Sequence, residues 1–146
     1  MQERFKLFQV DPDAYKAMSG LESYVRNTGI DKKLYELIKI RASQINGCAH
    51  CLSMHTRDAR KSGETELRIY MLDAWRETDL YSEKEKAALA LTEAMTMISV
   101  HGVPDEVFKE VAKQFSEKEL AAVMMAVVVI NGWNRIAITS HTPIVD

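Results

Sequence analysis

A chain of 146 residues, 47% apolar and 27% charged, has the proportions of an ordinary globular protein and enough length to bury a core without staples. Nineteen basic against 21 acidic residues, net charge −2 with no long run of either sign, exclude a protein that grips nucleic acid by charge. "MQERFKLFQV" lacks the apolar stretch of a signal peptide, and the longest apolar run, Leu120 to Ile130, is too short to span a membrane. The expectation is one cytoplasmic domain over residues 1–146, binding neither nucleic acid nor membrane.

Helical signals run along almost the whole chain. Asp11-Pro12 supplies an N-cap and a first-turn proline, with Tyr15, Met18, Leu21 and Val25 near helical spacing until Asn27 to Gly29. Asp31 caps a second helix whose apolar stripe is Leu34, Leu37, Ile38 and Ile45 and which stops at Asn46-Gly47. A third runs from about Cys48 to Ser62-Gly63. A fourth, near Thr65 to Trp75, carries Leu67, Tyr70, Met71 and Ala74. "SEKE" occurs twice, at Ser82 to Glu85 and Ser116 to Glu119, and each is a capping box. The first opens a helix with Ala88, Leu91, Thr92, Met95 and Ile98 along one side. A short helix follows Pro104, and the second box opens the last long helix, to about Thr139. "VVVI", Val127 to Ile130, has strand propensity, but the capping box before it favours helix. The fold class is all-α, a bundle of six to eight helices.

The chemistry is concentrated in "QINGCAHCLSMHTRDA", Gln44 to Ala59, which holds both cysteines and two of the four histidines. Two cysteines placed at random share the CxxC spacing in about 1% of arrangements, so the spacing carries meaning. On a helix, Cys48, Cys51 and His55 fall at i, i+3 and i+7 and share a face. Cys51 and His55 then have Cβ atoms roughly 5–6 Å apart, close enough for the imidazole to exchange a proton with a thiol. The helix start favours thiolate, and a second thiol beside it is what reversible dithiol chemistry needs. Two alternatives stay open: zinc on Cys48, Cys51 and His55 with His101 or His141 as distant ligands, and a pair of cysteines buried for packing alone. His50 lies about 100° around the helix from Cys51, where geometry makes it a loop or surface residue.

A hairpin about Gly47 would set Glu36 opposite Asp58, within a turn of His55, where a carboxylate orients an imidazole. Periodicity opposes this, because Glu36 falls about 160° from the stripe of Leu34, Ile38 and Ile45, on the side that normally faces water.

Glu36, Cys48-Ala49-His50-Cys51 and His55 together resemble the E-x11-C-x-H-C-x3-H signature of alkylhydroperoxidase D-like proteins, in the carboxymuconolactone decarboxylase superfamily. "ELIKIRASQINGCAHCLSMHTRDARKSGE" and the later "INGWNRIAI" are similar to the single-domain branch of that family. The resemblance implies an all-α AhpD-like fold in a homo-oligomer, a trimer or hexamer. It implies Cys48 and Cys51 as the redox pair, Glu36 and His55 as a proton relay and His50 as a supporting group. The substrate would be a peroxide. The partner would be an external dithiol reductant or a peroxiredoxin that accepts electrons, with no cofactor beyond the disulfide and no metal. The chain is shorter at its N-terminus than the best-understood antioxidant members. The rival class is a non-catalytic module, redox-sensing or zinc-stabilised, that uses the same cysteines to control assembly.

Leu120 to Ile130 is apolar on every side, which requires a place at the centre of the core or between subunits. Met124, Met125, Met95 and Met97 are expected as adaptable core filling. Trp133-Asn134-Arg135 then brings in polar groups abruptly, with Arg135 placed favourably near the helix C-terminus.

Overall fold

The structure, a computed structural model, describes residues 1–145. Among these residues the chain forms nine α-helices and one 3-10 segment, with no strand. The helices are α1 (Leu7–Val10), α2 (Pro12–Arg26), α3 (Lys32–Asn46), α4 (Ala49–Lys61), α5 (Glu66–Tyr70), α6 (Glu83–Thr96), α7 (Ile98–His101), α8 (Asp105–Gln114) and α9 (Glu117–Ser140). The 3-10 segment spans Leu72–Glu77. The two segments beyond the six to eight expected are the single turns α1 and α7, four residues each.

The starts follow local chemistry. The side chains of Asp11, Asp31, Ser82 and Ser116 each accept a backbone N–H three residues on, and both capping boxes are complete. These bonds satisfy donors that a helix start leaves unpaired. "VVVI" lies inside α9. The segment near Thr65 to Trp75 departs from expectation. It breaks at Met71 and continues as 3-10 helix, and it turns in Ile69, Leu72 and Trp75 rather than Leu67, Tyr70 and Met71. The buried residues recur every three positions, the repeat of a 3-10 helix, so the change of helix type keeps one face on the core.

Helix α3 is the hub, packed against α4, α6, α9 and the 3-10 segment. Every residue from Leu34 to Ile40 is buried. Leu34, Tyr35 and Ile38 join Val25, Ala88, Leu91, Val111, Val123 and Val127 in one core cluster. Leu37 and Ile40 join Ala59, Ile69, Leu72, Trp75 and Leu89 in another. A helix ringed in this way has no solvent side over those residues.

Helix α9 is long and apolar enough to cross a membrane by composition, with mean hydropathy 1.6 over its most apolar window. It packs on α2, α3, α4, α6 and α8, and Met124 and Val128, one turn apart, remain exposed on its outer side. On α2 only Val25 is buried; Tyr15, Leu21 and Tyr24 are exposed, as are Phe5, Phe8 and Val10 before it.

Candidate active site

Helices α3 and α4 form an antiparallel hairpin about Gly47. Its φ of 68° is the left-handed conformation that glycine adopts at little cost and that ends α3 sharply. Cys48 follows as the N-cap of α4. Its N–H donates to the Ser43 carbonyl at 3.0 Å, and its Sγ accepts from the Cys51 N–H at 3.3 Å. The two sulfurs lie at disulfide distance, with Cα atoms 5.3 Å apart and both residues 1% exposed. The unpaired N–H groups at the start of α4 favour negative charge where a thiolate would form on reduction.

One turn further along α4, His55 is buried. Its Nδ1 comes within 3.2 Å of Glu36 Oε2 across the hairpin. Both atoms are sealed from solvent, and they approach without the alignment of a hydrogen bond. Glu36 is 8% exposed, which corrects the amphipathic reading that put it in water; the hairpin placement opposite α4 holds instead. Its other oxygen accepts from Lys39 Nζ at 2.8 Å. Burial alone would push the Glu36 carboxyl up, but His55 and Lys39 against it more than offset this and hold it below the ordinary carboxylate range.

Asp58 completes the cluster. Ligand atoms of Glu36, His55 and Asp58 lie within 4.8 Å of one another, the grouping that could hold a metal ion among the described residues. The Lys39 ammonium already supplies positive charge there, and neither cysteine belongs to the group. His101 and His141 are outside it as well; His101 is exposed, and His141 caps the C-terminus of α9.

His50 is half-buried, with Nδ1 2.6 Å from the Pro143 carbonyl. A carbonyl only accepts, so Nδ1 is the donor in this contact. The Val145 N–H donates to Ser53 Oγ at 2.9 Å, so the C-terminal residues lie along the start of α4. A cavity of about 470 Å³ opens beside His50 and His55, walled by Phe5, Phe8, Tyr15, Met54 and Trp133. The Tyr15 and Trp133 rings meet at 5.5 Å between centroids, tilted by 59° to one another. A smaller cavity of about 170 Å³ reaches Cys48, and His50 lines both.

Two features were not read as site residues from the sequence. Lys39 is 1% exposed and lies over the Tyr35 ring at 4.0 Å; its signal is a Glu-x-x-Lys pair set in the otherwise apolar "LYELIKI". Asn134, fully buried, accepts from Asn46 Nδ2 at 2.9 Å and donates to Ser43 Oγ at 3.0 Å. It thereby ties α9 to the last turn of α3, whose Ser43 carbonyl holds the Cys48 N–H. Trp133 walls the larger cavity, and Arg135 is exposed and donates to the Asn131 carbonyl.

Several known proteins are similar to this chain. An uncharacterized Bacillus subtilis protein, YdfG, is 46% identical over 138 residues, 94% of each chain. The crystal structure of an Agrobacterium tumefaciens protein of unknown function, suggested to be the antioxidant-defence protein AhpD, superposes with a TM-score of 0.96 at 37% identity, covering 99% of both chains. The alkyl hydroperoxide reductase AhpD of Nocardia farcinica is 46% identical over 46 residues, 32% of this chain and 26% of that protein. The family profile described as carboxymuconolactone decarboxylase matches residues 12–94, spanning the cysteine pair, Glu36, His50 and His55. With its all-α, AhpD-like fold, the chain belongs to the carboxymuconolactone decarboxylase family.

Proposed function

We propose that the protein is a thiol-dependent oxidoreductase that reduces organic hydroperoxides or relays electrons to a peroxiredoxin-type acceptor. The observation that carries this reading is the Cys48–Cys51 pair at the start of α4, with His55 one turn below it and held against Glu36. A thiolate attacks the terminal peroxide oxygen and breaks the O–O bond. The sulfur becomes a sulfenic acid, and the alkoxide leaves as alcohol after taking a proton from the His55 relay. The second thiol condenses with the sulfenic acid, forming the disulfide and releasing water. An external dithiol then reduces the disulfide and is itself oxidised. No bound cofactor takes part in this cycle. His50, between the two cavities, supports the site, and the larger, aromatic-walled cavity suits the organic portion of a hydroperoxide.

The working unit is a homo-oligomer in the cytoplasm, a trimer or hexamer. The exposed Phe5, Phe8, Tyr15, Leu21 and Tyr24 near the N-terminus, with Met124 and Val128 on α9, support that reading, since aromatic and methionine side chains are enriched at subunit contacts. Steady-state consumption of an organic hydroperoxide is the test, with dithiothreitol or a lipoyl dithiol as reductant. Turnover that disappears in both C48S and C51S is expected. No turnover with any dithiol, from a protein whose thiols titrate normally, would refute the peroxidase reading; failure of the reduced protein to reduce a peroxiredoxin disulfide as well would refute the relay and leave the redox-sensing module.

A further inference from the structure

Lys39 is among the largest side chains in this protein that are fully buried. Taking an ammonium out of water is costly unless it is well paired, and a methionine would fill the same space without that cost. What methionine could not do is hold a carboxylate in place. The Lys39 ammonium meets Glu36 Oε1 at 2.8 Å and lies over the Tyr35 ring at 4.0 Å. Glu36 Oε2 is left to face His55 Nδ1 at 3.2 Å. The three groups form a line, Lys39 to Glu36 to His55, that ends on the helix carrying the cysteines.

We propose that Lys39 is a positioning residue for this site: it holds the Glu36 carboxylate against His55, so that His55, not Glu36, exchanges protons with the thiol pair. The inference rests on reading Cys48 and Cys51 as the working dithiol; it does not require peroxide to be the substrate. Among the described residues, other charged or titratable groups around Glu36 include Asp58 on α4, Tyr35 on α3, and Glu22 and Arg26 on α2, which act on Tyr35 and line the neighbouring cavity. None is placed as Lys39 is, in direct contact with the second carboxylate oxygen. Without the ammonium, burial would favour a neutral Glu36, and His55 would lose its negative partner. With a weaker proton acceptor on the helix that carries the cysteines, the thiol would ionise less readily.

The test is the pH dependence of iodoacetamide alkylation of the fully reduced protein, followed by mass spectrometry, in wild type, K39M, K39R, E36Q and E36Q/K39M. K39M is expected to move the midpoint of the more reactive cysteine up by about one unit, which slows alkylation on the acid side about tenfold. K39R keeps the charge and should stay within about twofold of wild type. In the E36Q background, adding K39M should leave the profile in place. A folded K39M with the wild-type profile would overturn the proposal. So would an equal shift in the E36Q background, because Lys39 would then act on the thiolate directly. If K39M does not fold, carbon-13 carboxyl shifts of Glu36 in the wild-type protein decide the matter. A carboxylate charged throughout pH 5 to 8 supports the proposal, and one that takes up a proton in that range refutes it. A protein that gives these results but turns over no peroxide would refute the peroxidase reading alone.

Discussion

Replacing Asn134 by alanine tests whether α9 holds the turn that presents the cysteines. Asn134 is fully buried and makes two side-chain bonds, accepting from Asn46 Nδ2 at 2.9 Å and donating to Ser43 Oγ at 3.0 Å. Each bond is worth about 1 kcal/mol net, and leaving a buried partner unsatisfied costs about 1–3 kcal/mol more. Asn46 Nδ2 keeps a second acceptor, Asn131 Oδ1 at 3.0 Å, so the added penalty falls mainly on the buried Ser43 hydroxyl. The expected loss is therefore about 3 kcal/mol, with a small further cost for the space vacated. For a chain of this length that is a fall in Tm of about 6–12 °C. Urea unfolding at one fixed protein concentration should show a lower midpoint with an unchanged slope. S43A should cost less in the N134A background than in wild type, by about 1 kcal/mol, because the two residues share a bond. A loss below about 0.5 kcal/mol in N134A, or full additivity with S43A, would refute the assigned network.

Reduced protein should titrate two thiols per chain, and mild oxidation should remove both without covalent dimers; two thiols persisting in excess oxidant would exclude the intramolecular pair. Glu36 and Glu93 are both buried, which alone would raise their carboxyls, yet both are held below the ordinary range, Glu93 by Trp75, Arg76 and Arg41. Each therefore contributes stability that is fully present above the unfolded value of about 4.3 and lost as pH falls through the lower folded value. Melting curves between pH 7 and 3 should accordingly show a shallower acid decline in E36Q than in wild type, and parallel declines would contradict it. G47A should cost about 1–2 kcal/mol through the left-handed backbone alone, since a Cβ there meets nothing within 4 Å, and G47N should recover part of it. Light scattering coupled to gel filtration should give a trimeric or hexameric mass; a single-chain mass at micromolar concentration would rule that assembly out.

What the sequence determined by itself is what depends on neighbours along the chain. Asp11, Asp31 and the serines of both capping boxes each bond to a donor three residues away, so their sequence patterns place helix starts without knowledge of the rest of the molecule. The Cys48–Cys51–His55 spacing is local in the same sense, and so is the glycine that turns α3 into α4. Glu36 shows where such reading stops. Helical periodicity assumes one buried face and one wet one, but α3 is enclosed by α4, α6, α9 and the 3-10 segment, so Glu36 and Lys39 are as buried as the leucines beside them. The hairpin about Gly47 and a match to a known signature placed Glu36 at the site against this periodicity, and Lys39 was not read as part of it. Asn134 meets Asn46 and Ser43 across 88 and 91 residues of chain. Which distant polar groups meet is decided by how α9 docks on α3, because burial in a shared interior removes water as the competing partner.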